Sequence, residues 1–476
     1  MTRQHDSVFI SGKFRVIHAG HIRLFRSGKE MAKKLIVAID VNGLSDDEVS
    51  WRLNILKSIE YIDEVIQYST NIELVIQRIK PSIVLKGSEF ADSVNAETSI
   101  VEGYGGKIIF SSGENYFAES DLISSGDDNF VRNLLTLPQA FMQRNSINQS
   151  DLRKEIGRIE KLRVCVIGDV IIDEYINCHP LGMSQEEPTV VVTPVDTKKF
   201  LGGAGIVAAH CQALGAKTTL ISVLGEDEAG HWCLEKAREY SLNVAISIDT
   251  TRPTTLKQRY RSGLQTLLKV SHLRQDPISV DIQKKIIETF RSIAANIDLL
   301  IFSDFSYGVL TESVISEITQ LAREKGIFIS ADSQSSSQIG NLAKFEGIDL
   351  ITPTEREARI ELRDQTSGLV VVAEKLRNSI RSKNIILKMG ADGVLISGVD
   401  SSNSVVPTDE IRALNKNAID TSGAGDSMLA ATSMALANGT DIYVASLLGS
   451  ILAGIQVSRI GNTPITRDHV YLALDL

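Results

Sequence analysis

Short apolar runs alternate with helix-period segments along nearly the whole chain. Residues 7–11 (Ser-Val-Phe-Ile-Ser) have the content of a short strand, and Ile22, Phe25 and Met31 then recur on one side of a helix. A wholly apolar run follows at 35–39, so strand, helix and strand form a βαβ unit in a parallel sheet. Further alternation passes through Val65 and Ile66, a helix over 72–79, and strands over 83–85 and 108–110. From residue 163 the pattern resumes with an apolar strand broken by Gly168-Asp169. Residues 188–194 are β-branched and bounded by Pro188 and Pro194, which predicts an edge or lid strand. Helices are expected over 206–214, 229–239, 282–294, 311–324, 369–377 and 428–436. Strands are expected over 218–224, 255–260, 265–270, 299–302, 327–331, 350–352, 384–388 and 393–397. The pattern predicts two α/β domains, residues 1–135 and 162–476, the second with a small β excursion. Residues 136–161 are polar and end in a charged helix over 151–162 with Leu152, Ile156 and Ile159 on one face, which suggests a linker or inter-domain helix.

At 476 residues the chain is too long for one ordinary core, which agrees with two domains. Its 43% hydrophobic and 23% charged content is that of a soluble globular protein. A net charge of −9 disfavours general binding to nucleic acid or an anionic membrane. Cys165, Cys178, Cys211 and Cys233 lack metal-ligand spacing and are expected to be reduced core residues. The first residues carry no apolar leader, and no apolar run is long enough to span a bilayer, so the expected location is the cytoplasm.

Candidate chemistry concentrates in a few stretches. Residues 418–427 (Ala-Ile-Asp-Thr-Ser-Gly-Ala-Gly-Asp-Ser) lead into the apolar helix at 428–436. Amides of Gly423, Ala424 and Gly425 at a helix N-terminus make an anion site, and Asp426 beside them is suited to accept a proton from a hydroxyl that attacks phosphate. A Gly-rich turn capped by Asp420 or Ser422 would explain the glycines alone. Near the N-terminus, His18 and His21 lie three apart at a helix start, and with Lys13 they offer donors to a polyphosphate above the strand ends. Asp169 and Asp173, just past a strand end, suit hydrogen bonds to sugar hydroxyls, or simply a turn. Gly202 and Gly203 open another helix, through small-residue packing or a close backbone approach to a ligand. Neither a Walker A run nor a full Rossmann glycine fingerprint is present.

The run Gly12-x-Phe14-x-x-x-His18-x-Gly20-His21 resembles the signature of the nucleotidyltransferase superfamily that includes cytidylyltransferases and heptose-phosphate adenylyltransferases. Residues 84–90 (Val-Leu-Lys-Gly-Ser-Glu-Phe) are similar to that family's lysine-glycine segment, and residues 118–123 to its closing segment. Arg52 stands where the family carries a nucleotide-contacting arginine. The resemblance implies that His18 and His21 stabilise charge on the attacked α-phosphate, while Arg52, Lys86 and Ser120 hold the nucleotide's phosphates and Gly12 and Phe14 belong to the same nucleotide-binding set. Arg15 replaces the usual aspartate, and residues 43–50 form a shorter, more acidic loop than the family's.

Gly202-Gly203, followed roughly 220 residues later by the 420–427 turn, resembles the ribokinase (PfkB) family, and the likeness covers essentially 162–476. Within it, residues 168–175, 184–191, 255–259, 265–269, 302–305 and 352–357 are similar to segments of bacterial heptose-7-phosphate 1-kinases, which are commonly fused to such a nucleotidyltransferase but with the kinase first. The resemblance implies an N-terminal Rossmann-like domain and a C-terminal ribokinase-like α/β domain with a small β lid. Asp426 would be the base, with Gly423, Ala424 and Gly425 stabilising the phosphoryl group and Lys388, Gly390 and Gly393 near the nucleotide. Asp169, Asp173, Gly202, Gly203 and Asp304 would face the sugar, Lys257 and Arg259 a second phosphate, and Glu357 would organise Mg2+ through water. Ile206 replaces a sugar-binding asparagine, Thr354 a motif asparagine, Tyr307 a frequent lysine, and Asp332-Ser333-Gln334 an Asp-Pro-Lys run.

The expected function is therefore bifunctional. The second domain would use MgATP to phosphorylate a sugar phosphate at C1, and the first would transfer a nucleotidyl group from ATP or CTP to the sugar 1-phosphate, in a pathway resembling ADP-heptose synthesis. The expected partners are these small molecules and a second copy of the chain, paired through the kinase domain. Two alternatives stay open: a sugar kinase alone with a degenerate first domain, and a non-catalytic sugar or nucleotide sensor.

Overall fold

A computed structural model describes residues 5–14, 17, 19–69, 71–87, 97–111, 135–263, 265–334, 341–399, 404–415 and 418–474. The chain divides into two compact units, Met1–Asp127 and Asp128–Leu476.

In the first unit the strands are β1 (His5–Gly12), β2 (Ala32–Asp40), β3 (Glu64–Tyr68), β4 (Ile83–Gly87) and β5 (Lys107–Ser111). They form one parallel sheet in the order β3-β2-β1-β4-β5, with Val8 opposite both Leu35 and Ile83. The sheet is buried on both faces. Val8, Ile10 and Leu35 pack on one side with Phe14 and Phe25, while Phe9, Ile36 and Ala38 pack on the other with Val75 and Val101.

The second unit carries β6 (Arg163–Gly168), β7 (Val170–Met183), β8 (Val190–Gly203), β9 (Lys217–Leu224), β10 (Asn243–Ile248), β11 (Leu256–Ser262) and β12 (Gln265–His272). It continues with β13 (Leu299–Asp304), β14 (Phe328–Ser333), β15 (Leu350–Ile351), β16 (Asn384–Lys388), β17 (Val394–Ser397) and β18 (Asp409–Ile411). Among the described residues, nine of these form a sheet in the order β10-β9-β6-β13-β14-β15-β16-β17-β18, parallel as far as β16 and antiparallel beyond. Alternate residues of β6 and β13 feed opposite cores: Val164, Val166, Leu299 and Ile301 on one face, Cys165, Ile167, Leu300 and Phe302 on the other. This explains their unbroken apolar sequence. A smaller sheet, ordered β12-β11-β7-β8, forms the lid.

The lid's edge strand β8 is longer than the 188–194 run suggested. Pro194 faces Cys178 at a register shift, so a bulge admits the proline without breaking the strand. All four cysteines are buried and unpaired. No helix among the described residues is long and apolar enough to cross a membrane.

Residues expected to serve as a linker belong to the second unit. Leu135, Phe141, Met142, Leu152, Ile156 and Ile159 are buried in the same core as helix Ala424–Ala437. Thr136 N–H donates to Leu414 O at 2.9 Å, Arg144 pairs with Asp409, and Asn438 donates to Glu155 at 2.9 Å. The charged look of this segment reflects one solvated face of the helix Gln149–Ile159 and not a free spacer. A chain shortened to 162–476 is therefore expected to melt more than about 10 °C below one that begins at 135, because several fully buried side chains are lost. Equal melting temperatures by circular dichroism would overturn this placement.

Candidate active site

The strand order of the large sheet reverses between β6 and β13, and loops leaving their C-terminal ends open a crevice there. Those ends, with that of the neighbouring β14, present Asp169, Asp304 and Asp332-Ser333-Gln334, and β16 ends at Lys388.

Asp426 enters from the first turn of helix Ala424–Ala437. Gly423, its N-cap, has φ of 78°, and a Cβ there would lie 1.5 Å from Asn462 Oδ1. Only glycine fits this turn. Gln456 fixes it from below, with Nε2 donating to Ser422 O, Gly461 O and Asn462 Oδ1. Asp420 holds it from the side, accepting from Ser422 N–H and Gly461 N–H at 3.0 Å each and from the Tyr175 hydroxyl at 2.8 Å. Burial alone would raise the Asp420 carboxyl, but those donors outweigh it and hold it below the ordinary value. The first-turn amides of such a helix lack intrahelical acceptors and are available to an anion.

Asp426 is 5% exposed, and Gln334 Nε2 donates to its Oδ1 at 2.9 Å. Burial, reinforced by the Asp332 carboxylate, pushes its pKa up to about 7. Lys388 Nζ reaches both oxygens of Asp332, at 2.9 and 2.8 Å, and a Cβ on Gly425 would sit 3.2 Å from Nζ. Burial by itself disfavours the Lys388 ammonium, yet Asp332, Glu357 and Asp426 together raise its pKa. Glu357 is buried and closes a capping box with Thr354, whose hydroxyl caps the helix Glu355–Leu362. Thr354, at the place of the motif's asparagine, thus caps this helix. Gly393, at φ 96°, allows β18 to approach, since a Cβ would lie 2.0 Å from Ile411 O, whereas Gly390 borders open space.

The lid supplies a basic face opposite these acids. Arg259 donates to Asp173 Oδ1 at 3.2 Å, to the Tyr175 hydroxyl at 3.1 Å, and to Ser422 Oγ in the turn. Lys257 Nζ lies 5.0 Å from the Phe305 ring centroid and 5.1 Å from that of Tyr307. Gly202 lets Asp173 approach the strand: a Cβ there would be 2.6 Å from Asp173 Oδ2. Gly203, at φ 57°, passes 2.2 Å from Asp169 O by the same measure.

Two acids expected at the sugar have other partners. Asp169 accepts three backbone N–H groups, from Phe305, Tyr307 and Val309, and so shapes the loop after β13. Asp304 forms a buried ion pair with Lys344 at 2.7 Å and also accepts from Ser333 Oγ. Breaking such a pair by removing one partner costs about 3–5 kcal/mol, so its role here is to hold the crevice together. Ile206 lies in the apolar core at 0% exposure. Sequence reasoning missed Tyr175, Lys344, Gln456 and Asn462. None carries a local signal, because each acts across distances of tens to hundreds of residues in the chain.

In the first unit, Phe14 has φ of 43° and turns its ring under Gly12, 3.1 Å from where a Cβ would be, and edge-on to His21 with centroids 5.3 Å apart. Arg52 is buried and donates to Lys13 O at 3.2 Å, bracing the same loop. Lys86 forms an ion pair with Glu97 at 2.9 Å. His18, Arg15 and Ser120 lie outside the described residues.

The profile of the pfkB family carbohydrate kinases matches residues 161–468. The bifunctional protein HldE of Pelobacter propionicus is 29% identical over 337 residues, covering 69% of this chain and 67% of its own length. HldE of Helicobacter hepaticus is 30% identical over 315 residues, covering 65% and 63%. The chain thus spans about two thirds of the length of these curated relatives. Among solved structures, phosphofructokinase-2 from Escherichia coli in complex with substrates and products aligns with a TM-score of 0.54 at 17% identity, covering 66% of this chain and 99% of that one. A carbohydrate kinase from Agrobacterium tumefaciens aligns at 0.51 and 19%, covering 66% and 97%. These structural likenesses speak to the fold, and the family match rests on the sequence profile over most of the chain. The chain belongs to the pfkB family of carbohydrate kinases.

Proposed function

We propose that the second unit, with residues 162–476 as its kinase domain, transfers the γ-phosphoryl group of MgATP to the C1 hydroxyl of a heptose phosphate. The first, residues 1–135, then joins the sugar 1-phosphate to a nucleotide from ATP or CTP and releases pyrophosphate, as in the synthesis of an ADP-heptose-like sugar. The observation that carries the kinase half is Asp426, a buried carboxylate with a pKa near neutrality inside an amide-lined turn. In this reading one Asp426 oxygen takes the hydroxyl proton while the sugar oxygen bonds to the γ-phosphorus. The bond from that phosphorus to its bridging oxygen breaks and ADP departs. First-turn amides meet the charge on the transferring group. Lys257 and Arg259 on the lid are placed to meet the sugar's other phosphate, with Asp173 and the Gly202-Gly203 backbone beside them.

The donor set fits magnesium held through water. No group of three or more His, Cys, Asp and Glu among the described residues could cage a metal, but Mg2+ commonly keeps its waters and takes one or two carboxylates plus substrate phosphates. Glu357 offers such a carboxylate, and the ion when bound would neutralise charge on the nucleotide's phosphates.

The bifunctional naming of the relatives supports pairing this kinase with nucleotidyl transfer in the first unit. His21 at the start of helix Ala19–Met31, and Arg52 and Lys86 at the same sheet end, are the residues that would serve it. A second copy of the chain is proposed to pair through the lid, whose distal strands expose Leu181, Met183, Val190 and Val195 beside the open edge of β8.

Asp426→Asn is expected to lower kcat for phosphorylation of heptose 7-phosphate by about 10²–10⁴-fold, with KM for ATP within about threefold. The wild-type kcat/KM should rise with pH through about 7 as the base loses its proton. Between the ordinary carboxylate range and pH 7 the folded state holds that proton more tightly than the unfolded chain, so stability falls as pH rises through this window. The asparagine variant should therefore melt higher than wild type at pH 8 while turning over far less. Undiminished turnover would remove Asp426 as the base. Pyrophosphate release from ATP or CTP with a heptose 1-phosphate tests the first unit, and its absence with both nucleotides leaves a kinase alone. Sedimentation velocity should find a dimer that Val190→Lys with Val195→Lys dissociates; a monomeric wild type would end the lid-pairing proposal.

A further inference from the structure

We propose that Gln334 is a positioning residue of the phosphoryl-transfer site, holding one oxygen of Asp426 so that the other faces the acceptor hydroxyl; this rests on reading Asp426 as the base. Gln334 follows β14 directly, and its own N–H donates to Asp304 O at 2.9 Å. Because Asp304 is fixed by Lys344 and Ser333, the backbone that carries the amide is anchored. The side chain then bridges two acids: Nε2 donates to Asp426 Oδ1 at 2.9 Å and to Asp332 Oδ2 at 3.3 Å. Both acceptors are carboxylate oxygens, so the amide must present its nitrogen end, and its rotamer is set by the pair.

An amide is the side chain that chemistry calls for here. Asp426 is faced by Asp332 from β14, Lys388 from β16, Asp173 from β7 and Lys257 from β11, with Glu357 acting on Asp332 and Lys388. A carboxylate in place of Gln334 would add a further negative charge to this group and drive the base toward its protonated form. A lysine would pair with Asp426 and weaken it as a base. The neutral donor orients the carboxylate and favours its ionised form without neutralising it. Gln334 thereby engages Asp426 Oδ1, and in this proposal Oδ2 receives the proton.

The coupling can be measured on the full chain without any substrate. Melting temperatures of wild type, Asp426→Asn, Gln334→Met and the double variant are followed from pH 5 to 9, using the transition of the second unit. The difference between proteins with and without the Asp426 carboxyl reports the titration of that group. With Gln334 present, the midpoint is expected near neutrality. With methionine, which keeps the volume and loses the donor, it should move alkaline by about one pH unit. Gln334→Lys should move it in the acid direction. An unchanged midpoint in both variants overturns the proposal. If the methionine variant does not fold, the lysine variant with its own Asp426→Asn control decides. A role confined to folding would lower every melting temperature without moving the midpoint. The base assignment is judged separately, by turnover of the Asp426→Asn variant, so either idea can fail while the other stands.

Discussion

The second unit is organised by the burial of more acid than base at the ends of its parallel strands. Asp332, Glu357 and Asp426 all act on the ammonium of Lys388, in a space largely closed to water. Burying carboxylates disfavours their charged forms, and Lys388 donates directly to Asp332. Asp332 and Asp426 are accordingly both raised, burial being the leading cause in each. The cluster keeps a carboxylate near neutrality beside amides that attract phosphate, two tendencies that would cancel in open solvent.

The opposite wall has the complementary charge. Lys257 and Arg259 reach in from a lid strand, and Arg259 touches Asp173, Tyr175 and Ser422, joining the lid to the turn that carries Asp426. Acidic side chains at the strand ends thus face basic ones on the lid. The buried pair Asp304–Lys344 and the loop amides gathered by Asp169 hold these strand ends together.

The first unit solves its own loop problem with backbone geometry. Phe14 takes a positive φ that is uncommon for a bulky side chain, and Arg52 is buried to cap the adjacent carbonyl of Lys13. Glu97 holds Lys86 at the end of β4. The loop is thus shaped by backbone geometry while the Lys86 ammonium is paired with a carboxylate.

Much of the fold was legible in the sequence, because strand and helix periods are local properties of the chain. Unbroken apolar strands announced a sheet covered on both faces, and the 420–427 turn with distant Gly202-Gly203 marked where backbone must come close to something. The reach of residues 135–161 into the core was not legible, since a helix with one apolar stripe looks the same whether it spans a gap or docks. Nor could sequence separate Asp169 and Asp304, whose oxygens are committed to loop amides and a buried lysine, from Asp173, which faces the lid arginine. The sequence placed Asp173 just past a strand end like Asp169, but it lies inside β7 while Asp169 sits between β6 and β7 and Asp304 ends β13, and the partner of each is fixed by what folds over it. The sequence by itself determined most of the strands, several of the helices, the glycine turn and Asp426 within it, but not the helix Ile442–Gln456 or the strand Asn243–Ile248. The tertiary structure alone decided which acids share Lys388, that Gln334 donates to Asp426, and that Tyr175 ties the lid to the turn. Those contacts join residues separated by tens to hundreds of positions, where hydrogen bonding and burial act but local patterning does not.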